Sequence, residues 1–477
     1  MAWIFSPLSR NVLSKINEKK RFRIVSDPIL IEEKLYDYIF AAPHQELPEK
    51  IESKTRLHLL DTLVAIISGT TLLPGKVATN FVGSIPSKPA CTLIGTTKKV
   101  GAFEAALVNG MIAHADETDD SHLAGRFHPG CAIVPAAIAA AETTNASSEV
   151  LLRAIALGYE IGARCNMALG VRDPSKAKFS THCFGGLFGA AASSSACLGL
   201  EREEINSLMS FTVQQASGLP YWNRDPDHIE KAFVFGGKGA RDGLYSAFFA
   251  KSKMTSPPNP FTGKRGLFAC FAEDPEPEKL TDRLGDVFEI DNASIKKWCV
   301  GSPMQSVLDA LESIASQQSF DPDLIEKISL TMPSDRIHIV DNASMPTVCL
   351  QHLVALMIFT GDCKFADAHD ESLMTNPGIL KIREKIEVIK SDALARAKPA
   401  RQSIVNIKLS NGDELSHHAK VVHGTPQRPM NREDVAKKTT SILSSVSNKD
   451  FSRLLDICLE QKKFSITELL KSCEIAH

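Results

Sequence analysis

The sequence predicts a mainly α protein, in which a large all-helical domain is interrupted late in the chain by a smaller α/β domain. Three observations predict it. Apolar residues recur at helical period from about Asp27 to Ile290, in segments such as GAFEAALVNGMIAHA, EVLLRAIALGYEIGARCNMALG and GGLFGAAASSSACLGL. Those segments are rich in Ala, Gly and Ser, and CAIVPAAIAAAE is apolar nearly all round, so the helices should approach closely and lie in an interior. The texture then changes. Segment 274–290 is rich in Pro, Asp and Glu, and beyond it come the β-like runs IEKISLTM (325–332) and RQSIVNIKLSNGDEL (401–415), the second with an Asn-Gly turn signal.

Taken in chain order, residues 1–26 read as an N-terminal extension. Its first 25 residues carry six basic residues and one acid among apolar ones, a composition that fits a mitochondrial transit peptide and so the matrix. Read instead as a solvated tail, it leaves the protein in the cytoplasm, which is the expected location. Residues 27–290 form the first part of the large domain and 291–424 the small α/β domain, with helical patterns between its strands. Residues 425–477 turn helical again (NREDVAKKTTSILSSV, DFSRLLDICLE, SITELLKSC), and the simplest packing returns them to the large domain.

At 477 residues the chain exceeds what one hydrophobic core usually serves. A formal net charge of -2 gives no global reason to expect nucleic acid or an anionic membrane as partner, so an anion must be recognised locally. No apolar run approaches the roughly 18 residues of a membrane span. The 11 cysteines are scattered, mostly within apolar runs and without a CxxC pair, which predicts buried free thiols.

The densest chemistry lies in HADETDDSHLAGRFHPG (114–130). Three readings compete for it. His114, Asp116, Glu117, Asp119, Asp120, His122 and His128 have the donor types of a metal site, but no HExxH or EF-hand spacing supports one. The acids could equally cap helix ends while the histidines satisfy backbone groups. Proton transfer on an acidic substrate gains support from other segments. GRFHPG sets Arg126 and His128 ahead of a buried helix, whose free N–H groups favour an anion. KFSTHCFGGLFGAAA offers His182, and HIEKAFVFGGKGARDG offers Lys231, Lys238 and Arg241. Three such junctions would enclose a small polycarboxylate, although each glycine pair also suits close helix packing.

VNGMIAHADETDDSH with the HPG that follows it, KFSTHCFGGLFGAAA, Lys231 before FGGKGARDG, KKWCVGSPMQSVLDAL (296–311) and IVDNASMPTVCLQHLVALM (339–357) together resemble the MmgE/PrpD family. That family includes 2-methylcitrate dehydratases and cis-aconitate decarboxylases. The resemblance implies a homodimer that works without metal or organic cofactor. It also implies that His128 and Lys231 are active-site residues, with Glu117 and Asp120 the first and last acids of the family's acidic motif. The chain departs from the family in three places. Glu117 stands where Asp is usual, Ser180 stands where a histidine is common with His182 two residues later, and Gln305 replaces another histidine.

The expected function is therefore a lyase acting on a small tricarboxylic acid by proton transfer α to a carboxylate. A 2-methylcitrate dehydratase-like hydro-lyase comes first and a cis-aconitate decarboxylase second. A dicarboxylate epimerase and a non-catalytic dimeric binding protein are the further alternatives. Imidazole suits the proton step because it exchanges a proton near neutrality. His128 is assigned that step, His182 the role of second acid/base or ligand, Lys231 carboxylate binding, and Glu117 and Asp120 orientation of these groups. Ser121, His122, Arg126, Ser180, Lys238, Ser302 and Gln305 are expected to complete the substrate contacts.

Overall fold

The computed structural model describes residues 28–171 and 177–475; the N-terminal extension of residues 1–26 lies outside them. Helices dominate from the start. α1 (Pro28–Ala41), α2 (Glu49–Gly69) and α3 (Leu73–Gly83) precede a two-stranded antiparallel ladder of β1 (Cys91–Thr92) and β2 (Lys99–Val100). α4 (Ala102–Ala113), α5 (Gly130–Thr144), α6 (Ser148–Ala168) and α7 (Thr181–Leu198) then pack as a buried layer, joined by α8 (Ile205–Gln215), α9 (Ile229–Ala232), α10 (Lys238–Lys251) and the short α11 (Leu267–Phe271).

Small residues set the spacing of this layer. A Cβ on Gly189 of α7 would stand 2.6 Å from both the Gly158 carbonyl oxygen of α6 and Ile133 Cδ1 of α5, so only glycine lets these three axes come so near. The same device acts between α4 and the turn Phe233–Gly237, where a Cβ on Gly110 would meet the Gly236 backbone at 2.9 Å. That turn is a π-helical segment continuous with α9 and α10, a local widening that often marks a functional site.

A second core begins at Trp298. It is built on a four-stranded sheet of order β6-β5-β7-β8, with β5 (Ile325–Pro333), β6 (Ile386–Ser391), β7 (Ser403–Leu409) and β8 (Glu414–Ala419). β5 runs parallel to β6 and antiparallel to β7. The Asn411-Gly412 signal does lie in the β7–β8 hairpin. β6 falls where helical patterns were expected; it is an edge strand with exposed Glu387 and Lys390, and its segment IEVIKS lacks the apolar alternation of its neighbours. α12 (Gln305–Gln317), α13 (Ile337–Val340), α14 (Leu350–Thr360), α15 (Phe365–Ala368), α16 (Pro377–Arg383) and α17 (Asp392–Arg396) surround the sheet.

α18 (Arg432–Val446), α19 (Ser452–Leu459) and α20 (Ile466–Ser472) share the first core with α1–α11. One further ladder ties the two parts together: β3 (Ser121–His122) pairs with β4 (Ala293–Ser294). This brings the histidine-rich segment alongside the chain as it enters the second core. All 11 cysteines are free and all but Cys270 are buried. Among the described residues no single helix is long and apolar enough to cross a membrane.

Candidate active site

α4 ends at His114, and the chain between it and α5 folds into a buried turn whose acids point different ways. Asp120 points inward. It accepts hydrogen bonds from Tyr159 Oη at 2.6 Å and the Gly130 amide at 2.9 Å, and its Oδ2 lies 2.6 Å from His58 Nδ1. The anion at the N-terminus of α5 is thus the protein's own carboxylate, and Asp120 anchors the turn beneath the site instead of facing substrate. That corrects the expectation that Asp120 orients the reacting groups.

Its neighbour Asp119 faces the histidines instead. Asp119 Oδ1 lies 3.1 Å from His128 Nδ1 and Oδ2 lies 2.9 Å from His114 Nδ1, with Lys296 Nζ 3.7 Å away. Burial alone would raise this carboxyl, but His114, His128 and Lys296 together hold it well below the usual carboxylate range. An ionised carboxylate can only accept, so both imidazoles donate from Nδ1 and the reactive nitrogen of His128 is Nε2. Burial lowers His128 below the ordinary imidazole value, and Lys296 adds to this while Asp119 opposes it. His128 is therefore neutral at neutral pH.

Glu117 is paired to Lys231, and Lys296 Nζ reaches Glu117 Oε2 at 3.3 Å and its carbonyl at 2.7 Å. Burial pushes this carboxyl up, yet Lys231, Lys296 and His114 bring it well below its usual range. His182, in the first turn of α7, stacks on Phe235 of the π-helical turn at 3.8 Å and sits 5.5 Å from the His128 ring. Burial first, with the nearby Lys231 charge adding to it, drives its pKa well down, and among the described residues its Nδ1 has no partner. Ser180, the N-cap of α7, accepts from Trp222 Nε1 at 3.1 Å, and the Trp222 ring lies 5.8 Å from Lys231 Nζ.

Glu117, His128, His182, Trp222, Lys231 and Phe235 line one wall of a cavity of about 190 Å³. Ser302, Ser306, Arg336 and Arg401, all attached to the second core, line the rest. His128, Lys231, His182, Glu117 and Ser302 are thereby brought together as expected, with Ser180 just behind. The other expected contacts lie elsewhere. His122 is buried against Glu289, its Nδ1 accepting from the Gly125 amide. Arg126 donates to the Val171 carbonyl beside a different depression. Lys238 pairs with Asp242 at 2.6 Å and donates to the Gln215 carbonyl. Gln305 ties together the Trp298 and Val300 backbone, and Ser121 lies behind the cavity, 3.4 Å from Arg401 Nη1. Lys238 misses the site because α9, the π-helical turn and α10 form one continuous helix, so the expected third N-terminus does not exist.

Lys296, Arg336 and Arg401 escaped sequence reasoning, as did Asp119 as the partner of His128. Nothing local marks the three basic residues; each reaches the site through tertiary contacts. Two sets, His114–Asp119–His128 and His114–Glu117–His228, bring three potential metal-ligand atoms within 4.8 Å of one another. Their two carboxylates already face Lys231 and Lys296, so a divalent ion would have to bind beside two fixed positive charges.

A neutral imidazole beside a buried carboxylate, in a cavity lined by Lys231, Arg336 and Arg401 between a helical body and a small α/β layer, has the makeup of an acid–base site. The chain belongs to the MmgE/PrpD family: the family's N-terminal domain matches residues 33–280 and its C-terminal domain residues 298–461. It is also similar to a cis-aconitate decarboxylase-like protein of Aspergillus oryzae, 26% identical over 298 residues that span 59% of this chain and 60% of that relative. These matches support a lyase of the dehydratase or decarboxylase type in general.

Proposed function

We propose that the protein is a cofactor-independent lyase that removes a proton α to a carboxylate of a small tricarboxylic acid. The observation that carries this reading is His128, neutral, open to the cavity and held by Asp119. In dehydration of a 2-methylcitrate-type acid, His128 Nε2 takes the α proton and the C–H electron pair becomes the C=C bond. Hydroxide leaves with the C–O pair and takes the proton that His128 has gained, forming water and restoring the neutral imidazole. Lys231 offsets carboxylate charge as it builds toward the carbanion-like transition state.

Decarboxylation of cis-aconitate is the second reading, favoured by the printed name of the Aspergillus oryzae relative. It uses the same groups in the other direction and needs His128 in its protonated form: the C–C pair left by departing CO2 is stabilised by the cations and then takes the proton of the His128 imidazolium at carbon, leaving neutral imidazole. Incubation with citrate, 2-methylcitrate and cis-aconitate tests both. Ultraviolet absorbance of a new unsaturated acid without CO2 supports dehydration, CO2 release supports decarboxylation, and neither on any of the three overturns the proposal. We further propose a homodimer in the cytoplasm, to be checked by light scattering and by imaging the tagged chain.

A further inference from the structure

Arg336 and Arg401 line the same cavity as His128 and Lys231, yet they are served differently by the rest of the protein. Lys231 is answered by Glu117. Arg336, itself 40% exposed, has among the described residues only Asp335, its exposed neighbour in sequence, at 3.3 Å. Arg401 donates to Ser121 Oγ at 3.4 Å, and among the described residues no carboxylate pairs with it. Burial first, and then the nearby Arg336 charge, pull its guanidinium below the usual arginine range, to about 10. Its backbone is also held in the left-handed region, φ 66°, a conformation that side-chain-bearing residues adopt sparingly and that clusters at functional sites. Two guanidiniums facing one cavity without a protein anion between them leave positive charge for a ligand to neutralise. Arginine's planar fork matches a carboxylate bidentately, and the buried hydroxyl of Ser302, which has no partner, lies in the same lining.

We propose that Arg336 and Arg401 bind the carboxylate farthest from the carbon that gives up its proton, and so make the site specific for tricarboxylates over dicarboxylates. This rests on the lyase reading for which carboxylate is the reacting one, but the binding it describes is independent of turnover. Lys231 and His128 hold the reacting end, and the small α/β layer reads the far end.

The probes are propane-1,2,3-tricarboxylate, which lacks a leaving hydroxyl, and propane-1,2-dicarboxylate, the same chain less one terminal carboxylate. Calorimetry on the full-length protein should give roughly 10- to 100-fold tighter binding of the tricarboxylate, the scale of a charge-assisted bidentate contact. Arg336→Met and Arg401→Met should each remove most of that preference while leaving dicarboxylate affinity within a few-fold. Arg401→Lys, which keeps charge without the fork, should recover part of it. Circular dichroism confirms that each variant is folded, and an unfolded Arg401→Met leaves Arg336→Met and Arg401→Lys to decide. Equal preference in wild type and variants, or no tricarboxylate binding by wild type, overturns the arginine assignment even if a lyase activity is found. Arginine-dependent tricarboxylate binding without turnover of any citrate-type acid upholds it and overturns the lyase reading instead.

Discussion

His128 Nδ1 lies 3.1 Å from Asp119 Oδ1, a carboxylate completely withdrawn from solvent. The pairing fixes the tautomer, so an amide in place of the carboxylate should turn the imidazole to the wrong one. Asp119→Asn is expected to lower kcat by about 10² to 10⁴ with little change in KM, by analogy with the carboxylate of a catalytic triad. Asp120→Asn should act differently, weakening the anchor to His58, Tyr159 and Gly130. Its signature is a lower Tm, with kcat lost only in proportion to the protein unfolded.

The same pair sets a pH dependence with a definite sign. His128 must be neutral to accept a proton, and burial lowers it from the ordinary imidazole value. kcat/KM should therefore rise with pH along a limb centred below about 6.5 and be level at neutrality. Asp119 raises His128 and Lys296 lowers it. The limb should accordingly move to lower pH in Asp119→Asn and to higher pH in Lys296→Met. Shifts in the same direction in both variants would remove His128 as the titrating group.

Much of this site was legible in the sequence, and the part that was not has a physical reason. His128, His182 and Lys231 stand near helix starts whose positions follow from helical period and glycine placement, while Glu117 is singled out by the resemblance to the family's acidic motif. The choice between Asp119 and Asp120 does not follow, because it is made by Tyr159 and His58 reaching in from α6 and α2 to claim one acid of an adjacent pair. Arg336 and Arg401 come from a loop after β5 and a residue just before β7; only the sheet and its seating on the helical body bring them to His128. The close helix packing was readable from Gly158, Gly185 and Gly189, whereas β6, an edge strand with charged outward positions, carried no distinguishing period.

His128→Gln and Lys231→Met should separate chemistry from binding. Gln keeps hydrogen-bonding reach but cannot transfer a proton, so kcat should fall by about 10² to 10⁴ with KM nearly unchanged. Met keeps the aliphatic stem of Lys231 without its charge and leaves Glu117 with Lys296 alone. KM should rise, and kcat should fall too if the ammonium stabilises carbanion charge. Near-normal turnover by His128→Gln on a confirmed substrate transfers the proton step to His182. Exhaustive chelation should leave the wild-type rate intact, because the carboxylates a metal would need are engaged by lysines.

Lys438 of α18 reaches across to α2 and to the site turn, donating to Asp61 at 2.6 Å and to the Thr118 carbonyl at 3.2 Å. Both charged groups are buried, so removing one strands the other. Lys438→Met should destabilise by about 3–5 kcal/mol in denaturant unfolding. Lys438→Met with Asp61→Leu should recover much of that, because no isolated charge remains. Equal losses in the single and double variants would mean that the cost comes from packing or from the Thr118 carbonyl, and not from the ion pair.

Helix propensity and packing predict opposite signs for alanine at Gly189, which makes the position a sensitive test of how closely the helices approach. In an exposed helix interior Gly→Ala gains about 1 kcal/mol. At Gly189 the new methyl would sit 2.6 Å from the Gly158 carbonyl oxygen and 2.6 Å from Ile133 Cδ1. A backbone oxygen in one helix cannot move without shifting the whole of α6, so overpacking of roughly 1–3 kcal/mol or more should win. Gly83, near the end of α3, has nothing within 4 Å of its would-be Cβ and serves as the internal control, with Gly83→Ala neutral or stabilising. Gly189→Ala should lower Tm and also slow turnover, since α7 carries His182 in its first turn. A Gly189→Ala protein as stable as wild type would show that the axes lie farther apart than described.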